Sequence, residues 1–442
     1  MELSPQISIV VILVVIFGLL AGGTWISIVL AATGVFGLTF MCVGGMQKMV
    51  SEIMFNNVVS YTLMAVPLFI FMGYLITKSG ISSHLYEGVS KWLGIVPGGL
   101  LHSNILACAI FAACSGSSTA TEVAIGTGAV PELLKRGYER KITLGSIAAG
   151  STLGILIPPS VTMIVFGVYT GVSVGKLFLG GVIPGIILAG MFMIWIGVGT
   201  GINPQWAPKR EKFVAKVYFP QVLDSFKDIW PYMLIIIFIM GSIYGGLATP
   251  TEAAGLACMI TFLLIVLYFR KFNFKMFKDA TMETDTLTGF YMLEIVGART
   301  LGMALSILRV PTYLCAAIGG LHTSRILIWF GVVLIYILLG CIMDGLDLML
   351  VTTPIFFPLV VHTLGFDPIW FGVILTVILE MSLVTPPVGL NIYIVHGIGG
   401  GKRLQDTIEG IIPFFICMVL CVILLTFIPS LCTWLPSTMV HR

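Results

Sequence analysis

The 442-residue chain carries 23 Lys and Arg and 20 Asp and Glu, 10% charged in all, against 58% hydrophobic residues and a mean hydropathy of +1.06. Soluble chains carry about 25% charge, so a water-soluble domain of this length is excluded and an all-α polytopic membrane protein is predicted, with room for roughly 10–12 crossings. A formal net charge of +3 from scattered basic residues offers no basic face for nucleic acid. The nine cysteines fall mostly within apolar runs and form no CxxC pair, so they read as small buried hydrophobes.

Apolar runs divided by charged or Gly/Pro breaks set out the elements. Ile7–Leu20 reads as a first membrane helix rather than a removable signal peptide, because no basic region precedes it. Trp25–Met41 and Leu63–Thr77 follow, then an amphipathic piece at Ile81–Leu93. Leu100–Cys114 is interrupted at Ser115-Gly116-Ser117-Ser118-Thr119 before resuming to Val130, a polar break tolerated at membrane depth only inside protein or beside water. A re-entrant hairpin over 98–134 is predicted. Lys141–Tyr169 is broken at Pro158-Pro159, giving a broken helix over 141–171, and Leu177–Val198 follows. After a Lys-rich loop, Lys209–Lys227, come Trp230–Gly246, Glu252–Phe269 and Leu287–Leu308. A second hairpin over 325–362 turns at Asp344-Gly345. A second broken helix over 367–397 breaks at Thr385-Pro386-Pro387, and Ile411–Ile428 ends the series.

The breaks recur. Pro131, Pro158 and Pro184 match Pro358, Pro386 and Pro413 at offsets of 227, 228 and 229 residues, and the Ser115 tip answers the Asp344 tip. The chain therefore reads as a duplication, 1–228 and 229–442, each half holding scaffold helices, a hairpin and a broken helix. Most of the 23 basic residues fall on one side when the crossings are followed: Lys78, Lys91, Lys135, Arg136, Arg140, Lys141, the Lys209–Lys227 segment, Arg270–Lys278, Lys402 and Arg403. Lys48, Lys176, Arg309, Arg325 and Arg442 fall on the other, and Arg299 lies inside a helix. The positive-inside rule makes the rich side cytoplasmic, which inverts the second copy and puts both termini outside.

Inverted repeats with discontinuous helices are the architecture of secondary transporters, where half-helix ends and unwound carbonyls bind substrate and coupling ion near the midplane. Hydroxyls at the first tip, and hydroxyls with carboxylates at the second, suit Na+, the one cofactor predicted. The chain carries no phosphate-binding loop and no metal-ligand or catalytic His/Cys cluster, which argues against an ATPase or any membrane enzyme.

Pro67-Leu68-Phe69-Ile70-Phe71-Met72-Gly73, Ser115-Gly116-Ser117-Ser118-Thr119-Ala120-Thr121, Leu156-Ile157-Pro158-Pro159-Ser160, Thr249-Pro250-Thr251-Glu252-Ala253 and Asp344-Gly345 followed by Pro354-Ile355-Phe356-Phe357-Pro358 resemble, in order along the chain, the large membrane subunit of tripartite ATP-independent periplasmic (TRAP) transporters. The resemblance implies an elevator-type Na+-coupled importer in the bacterial inner membrane. It also implies a small membrane subunit on a separate chain, a periplasmic substrate-binding protein that carries most of the specificity, and a small organic acid as substrate. A self-sufficient ion-coupled carrier of similar fold is the alternative.

The Na+ candidates are Ser115, Gly116, Ser117, Ser118, Thr119 and Pro158 in the first half and Asp344, Gly345, Thr385 and Pro386 in the second. The proline pairs are expected to liberate carbonyls, notably those of Gly154, Ile155, Ser382 and Leu383. The substrate candidates are Ser117, Thr121, Ser160, Thr162, Asp347, Asn391 and Arg299. Intramembrane carboxylates are costly enough to mark function, with Asp344 the stronger candidate, and a helix cap at Asp344 or Asp347 is the alternative. Arg299 serves the substrate, a pairing with Glu294 or a contact with the partner subunit, and Glu122 and Glu380 either pair locally or face a wet cavity. Thr249-Pro250-Thr251-Glu252 reads as a structural helix start, and His102, His322, His362 and His396 as solvated at helix ends.

Overall fold

The computed structural model describes residues 4–42, 47–94, 96–208, 215–320 and 323–439, and these form an all-α molecule. In chain order the helices are α1 Pro5–Ala21, α2 Ile26–Phe36, α3 Gln47–Val58, α4 Ala65–Ser79, α5 Ser82–Leu93, α6 Leu100–Ser115, α7 Ser118–Lys135, α8 Arg140–Leu156, α9 Val161–Thr170 and α10 Val174–Ile202. They continue as α11 Ala215–Tyr244, α12 Pro250–Leu263, α13 Phe274–Ile307, α14 Val310–Gly319, α15 Arg325–Gly340, α16 Gly345–Phe357, α17 Pro368–Leu383, α18 Leu390–Ile398, α19 Leu404–Phe427 and α20 Ser430–Ser437. Eight helical segments among the described residues are long and apolar enough to cross a membrane, and six shorter apolar helices accompany them.

The same order of parts runs twice. The pair α6–α7 turns at Gly116 and Ser117, and the broken helix α8–α9 follows it. The pair α15–α16 turns before Asp344, and the broken helix α17–α18 follows that. The first segments of the two broken helices form the centre: every residue from Ile142 to Leu156 and from Trp370 to Leu383 is buried. They touch where Thr152 Oγ1 donates to Glu380 Oε2 at 3.5 Å, two residues separated by the same 228 positions as Pro158 and Pro386.

Around this centre the packing is close. On α8, Gly145 lies against Gly410 of α19, and a Cβ added to either would overlap the backbone of the other helix at the Gly410 or Lys141 carbonyl. Without side chains at these two positions the helices approach to backbone contact. In the second half, Trp329, Phe366, Trp370 and Phe371 form an aromatic cluster in which Phe366 stacks on Trp370, and the indole N–H groups of Trp329 and Trp370 donate to Thr426 Oγ1 at 3.0 Å and the Leu425 carbonyl at 2.8 Å. Large apolar side chains face outward on α1 (Val10, Val14), α11 (Ile237) and α15 (Leu334, Leu338), as lipid contact requires.

Several expectations change. Residues 215–227 are not loop but the first turns of α11, because Trp92 and Ser225 hydrogen bond at 2.6 Å and Lys91 pairs with Asp228 at 3.5 Å, docking this stretch on α5. Residues 209–214 lie outside the described residues, as do His322 and Arg442, and the expected boundary at 228/229 falls within α11. The α13 helix starts earlier than its apolar run and spans 34 residues, about 51 Å at 1.5 Å per residue, so it exceeds a hydrocarbon core of about 30 Å. His102 is buried rather than solvated, its Nε2 2.6 Å from the Pro97 carbonyl. Thr249 and Glu252 do form a reciprocal cap at the start of α12. Four of the basic residues assigned to one side are paired: Lys78 with Glu283, Lys91 with Asp228, Arg140 with Asp406 and Lys141 with Glu409.

The contact between α8 and α19 makes a direct prediction. Gly145→Leu or Gly410→Leu should destabilise the purified protein by at least about 2 kcal/mol through overpacking, whereas Gly331→Leu, with open space around its Cα, should not. Thermal unfolding followed by size-exclusion chromatography measures the difference.

Candidate functional site

At the first tip, α6 ends on Gly116 in the left-handed region, φ 63°, and α7 begins on Ser117, whose Oγ accepts from the Ala120 amide at 3.4 Å. A side chain at residue 116 would strike the Pro159 carbonyl, so glycine is needed both for the turn and for its seat on the first broken helix. Thr121 Oγ1 donates to the Ser117 carbonyl at 2.7 Å and lies 3.0 Å from Ser115 Oγ, while Ser117 Oγ lies 3.1 Å from Thr119 Oγ1. Asn391 Nδ2, from α18, donates to Ser118 Oγ at 2.7 Å and Ser151 Oγ at 3.0 Å, so the second broken helix braces the first tip.

The proline breaks satisfy part of their own backbone. Ser160 caps α9 and donates its hydroxyl to the Ile155 carbonyl at 2.5 Å, so that carbonyl, expected to be free, is taken. Thr385 Oγ1 does the same for the Met381 carbonyl at 2.5 Å. Each break also reaches its hairpin: the Val161 amide lies 3.5 Å from the Gly116 carbonyl, and the Val388 amide 3.2 Å from the Cys341 carbonyl.

At the second tip Asp344 occupies the cap position of α16 in extended conformation, and its Oδ1 has no hydrogen-bond partner. Asp347, one turn on, is buried and faces Glu294 of α13. Arg299 does not pair with Glu294. Its Nη2 donates to the Val168 carbonyl at 2.5 Å and its guanidinium lies over the Tyr169 ring, 4.5 Å from the centroid.

A cavity of about 240 Å3 joins the two tips. Ser115, Gly116, Ser117, Ser118, Thr119, Thr162, Asp344 and Gly345 line it. Thr121, Ser160 and Asn391 stand behind the lining and hold it in shape, and Asp347 sits behind the second tip. Pro158, Thr385 and Pro386 lie at the breaks without lining it, and Arg299 lines a different cavity. Glu122 and Glu380 are fully buried away from the lining. The sequence reading missed the opposite wall, Tyr74 of α4 with Leu287, Phe290 and Tyr291 of α13. Only Gly73 gave a signal: its missing side chain admits Ser115, with a hypothetical Cβ 3.2 Å from the Ser115 backbone.

The cavity is framed by helix ends. Lining residues come from the first turns of α7, α9, α16 and α18 and from the last turns of α6, α8 and α17. Helix starts present amide N–H groups and partial positive charge, and helix ends present carbonyls and partial negative charge.

Comparison with known proteins agrees with this architecture. The family model of the DctM component of tripartite ATP-independent periplasmic transporters matches residues 13–431. The C4-dicarboxylate TRAP transporter large permease protein DctM of Vibrio cholerae is 32% identical over 451 residues, covering 97% of this chain and 98% of that protein. The ectoine TRAP transporter large permease protein TeaC of Halomonas elongata is 30% identical over 428 residues, covering 95% and 96%. The isethionate TRAP transporter permease protein DctMQ of Oleidesulfovibrio alaskensis is 30% identical over 385 residues, a match that covers 86% of this chain but 59% of that longer protein. In fold, the chain is similar to the Alcanivorax borkumensis YdaH transporter, with a TM-score of 0.62 at 12% identity over 92% of this chain and 97% of that one. With its apolar helices, its paired breaks and a family match over nearly its whole length, this multi-pass inner-membrane chain belongs to the DctM family of TRAP transporter large permease subunits.

Proposed function

We propose that the chain forms the membrane path through which a Na+ gradient drives import of a small organic acid, a carboxylate or sulfonate, delivered by a periplasmic substrate-binding protein. The convergence of helix ends on one cavity carries this reading. The starts of α7, α9, α16 and α18 favour the acid's negative group, and the hydroxyls, carbonyls and Asp344 carboxylate at the tips favour a hard cation. One Na+ would be held by Ser115, Gly116, Ser117, Ser118 and Thr119 near Pro158. A second would be held by Asp344 and Gly345 near Thr385 and Pro386. The acid would lie between them against Ser117 and Thr162, with Thr121, Ser160 and Asn391 fixing the tip geometry.

The backbone contacts from Val161 to Gly116 and from Val388 to Cys341 couple each hairpin to its broken helix, which supports their motion as one block. The facing wall on α4 and α13 would belong to a static scaffold, and Gly73 offers Ser115 a smooth surface to slide along. The two halves would be inverted copies, with the Lys- and Arg-rich side in the cytoplasm and both termini periplasmic. A small membrane subunit completes the complex, as the family suggests. The relatives are named for C4-dicarboxylate, ectoine and isethionate, which supports a small charged organic substrate with selectivity set largely in the binding protein.

Two outcomes are expected in proteoliposomes holding both membrane subunits. Ser117→Ala and Asp344→Ala should each lower Na+-driven uptake at least tenfold, the order expected when a hydrogen bond to a charged group worth about 1.5–3 kcal/mol is lost, while co-purification of the small subunit stays intact. Undiminished uptake in both variants would remove the site assignment. Uptake should also require the binding protein and collapse when choline replaces Na+; transport by the membrane subunits alone would identify a self-sufficient carrier instead.

A further inference from the structure

We propose that a second cavity, separate from the chamber at the helix breaks, is an anion-receiving site in which the Arg299 guanidinium holds the carboxylate or sulfonate of the organic acid before it reaches the tips. This rests on the organic-anion reading above and adds a place on the route that the tips do not provide. The cavity, about 590 Å3, opens where Tyr169 at the end of α9, Arg299 and Ser306 of α13, Thr312 and Cys315 of α14 and His362 after α16 meet. It is large enough for a small acid with its water, and no Asp or Glu is among its lining residues.

Arg299 is the one lining group with a permanent charge. A guanidinium presents five N–H donors in a planar fork. Here Nη2 is occupied by the Val168 carbonyl, Nε is buried with no partner, and the Tyr169 ring covers one face. Among the described residues no carboxylate pairs with it: Glu294, on the same helix, faces Asp347 instead. A cation at this depth without an acidic partner is costly unless it has a use. The donors these contacts leave over suit a planar or tetrahedral oxyanion, and the hydroxyls of Ser306 and Thr312 line the same space.

The position on α13 connects the two chambers. Tyr291 lines the chamber at the tips and Arg299 the outer one, roughly 12 Å apart along the helix at 1.5 Å per residue. The contact between Glu294 and Asp347 lies between them. Neither residue lines either cavity and both are buried, so this packed contact of α13 with α16 separates the two chambers, and an anion waits at Arg299 until the tips rearrange.

Cys315 provides the readout, because it lines this cavity and is partly exposed. A methanethiosulfonate carrying a sulfonate is itself a small organic anion; the Cys315 thiolate attacks its thio sulfur, forms a mixed disulfide and expels methanesulfinate. Rates with the 2-sulfonatoethyl reagent and with the 2-(trimethylammonium)ethyl reagent are each normalised to the rate with 2-mercaptoethanol, and the Cys315→Ser background is subtracted. The intact complex should react with the anionic reagent in a saturable way and prefer it over the cationic one by roughly tenfold or more. Ethanesulfonate should slow that reaction. Arg299→Gln should abolish the preference and the saturation, Arg299→Lys should keep most of the preference, and Tyr169→Phe should leave it intact.

Equal anion-to-cation ratios in the wild type and Arg299→Gln, or no competition by ethanesulfonate, would overturn the proposal and leave Arg299 as a strut for the end of α9. If Arg299→Gln does not fold, the wild-type arms decide alone, and a normalised ratio near one overturns the site. The assay needs neither Na+ nor the binding protein. A chain that keeps its Arg299-dependent preference but imports no organic acid would refute the transport reading and leave this site standing, while Na+-driven uptake without the preference would do the reverse.

Discussion

A helix broken inside a bilayer leaves amides and carbonyls that must find partners, since hydrocarbon supplies none. Four breaks are present here, and each is satisfied in part by its own hydroxyls and in part by the neighbouring hairpin or broken helix. Gly116 and Cys341 offer carbonyls to the amides of Val161 and Val388, Ser160 and Thr385 return hydroxyls to the carbonyls of Ile155 and Met381, and Thr121 holds the carbonyl of Ser117. This requirement brings hairpins and broken helices together. It also explains the glycine at position 116, where a side chain would push the first tip off the Pro159 carbonyl. Asn391 ties the halves by donating from the second broken helix to Ser118 on the first tip.

The satisfaction is incomplete, and the remainder supports the functional reading. Asp344 Oδ1 has no partner, and helix starts and ends from both halves open onto one small space. Unpaired polar groups at this depth cost free energy that a bound cation and anion would offset. The moving and static parts of the proposed machine meet at Gly73 against Ser115 on one side and at Glu294 against Asp347 on the other.

Much of this could be read from the sequence, for definite reasons. Proline and polar tips punctuate apolar runs sharply, so Ser115–Thr119, Pro158, Asp344 and Pro386 announced the breaks, and their spacing announced the repeated order. Hydropathy served less well where a helix is polar or leaves the membrane. The first turns of α13 carry Lys275 and Lys278, and residues 215–227 of α11 carry Lys216 and Lys227, so both read as loop although tertiary packing keeps them helical. The short helices α3 and α20 left no apolar run long enough to notice, and the apolar run of α14, 10 residues, is too short for a crossing. Within the site, local motifs revealed the tips but not the wall they face: Tyr74 and Tyr291 reach the cavity through helix packing, which no local pattern encodes. Arg299 was visible as an intramembrane charge, but its separation from the tips emerged only from the course of α13.

The central claim is that the broken helices form a cation site, and binding tests it more directly than transport. Thermal unfolding of the purified large and small subunits in NaCl against choline chloride at equal ionic strength isolates the ion. A site occupied at a hundredfold excess over its Kd stabilises the folded state by about 2.7 kcal/mol. A melting temperature raised by Na+, saturating with concentration and lost in Ser117→Ala, is the predicted result. Coincident unfolding curves in Na+ and choline would contradict it.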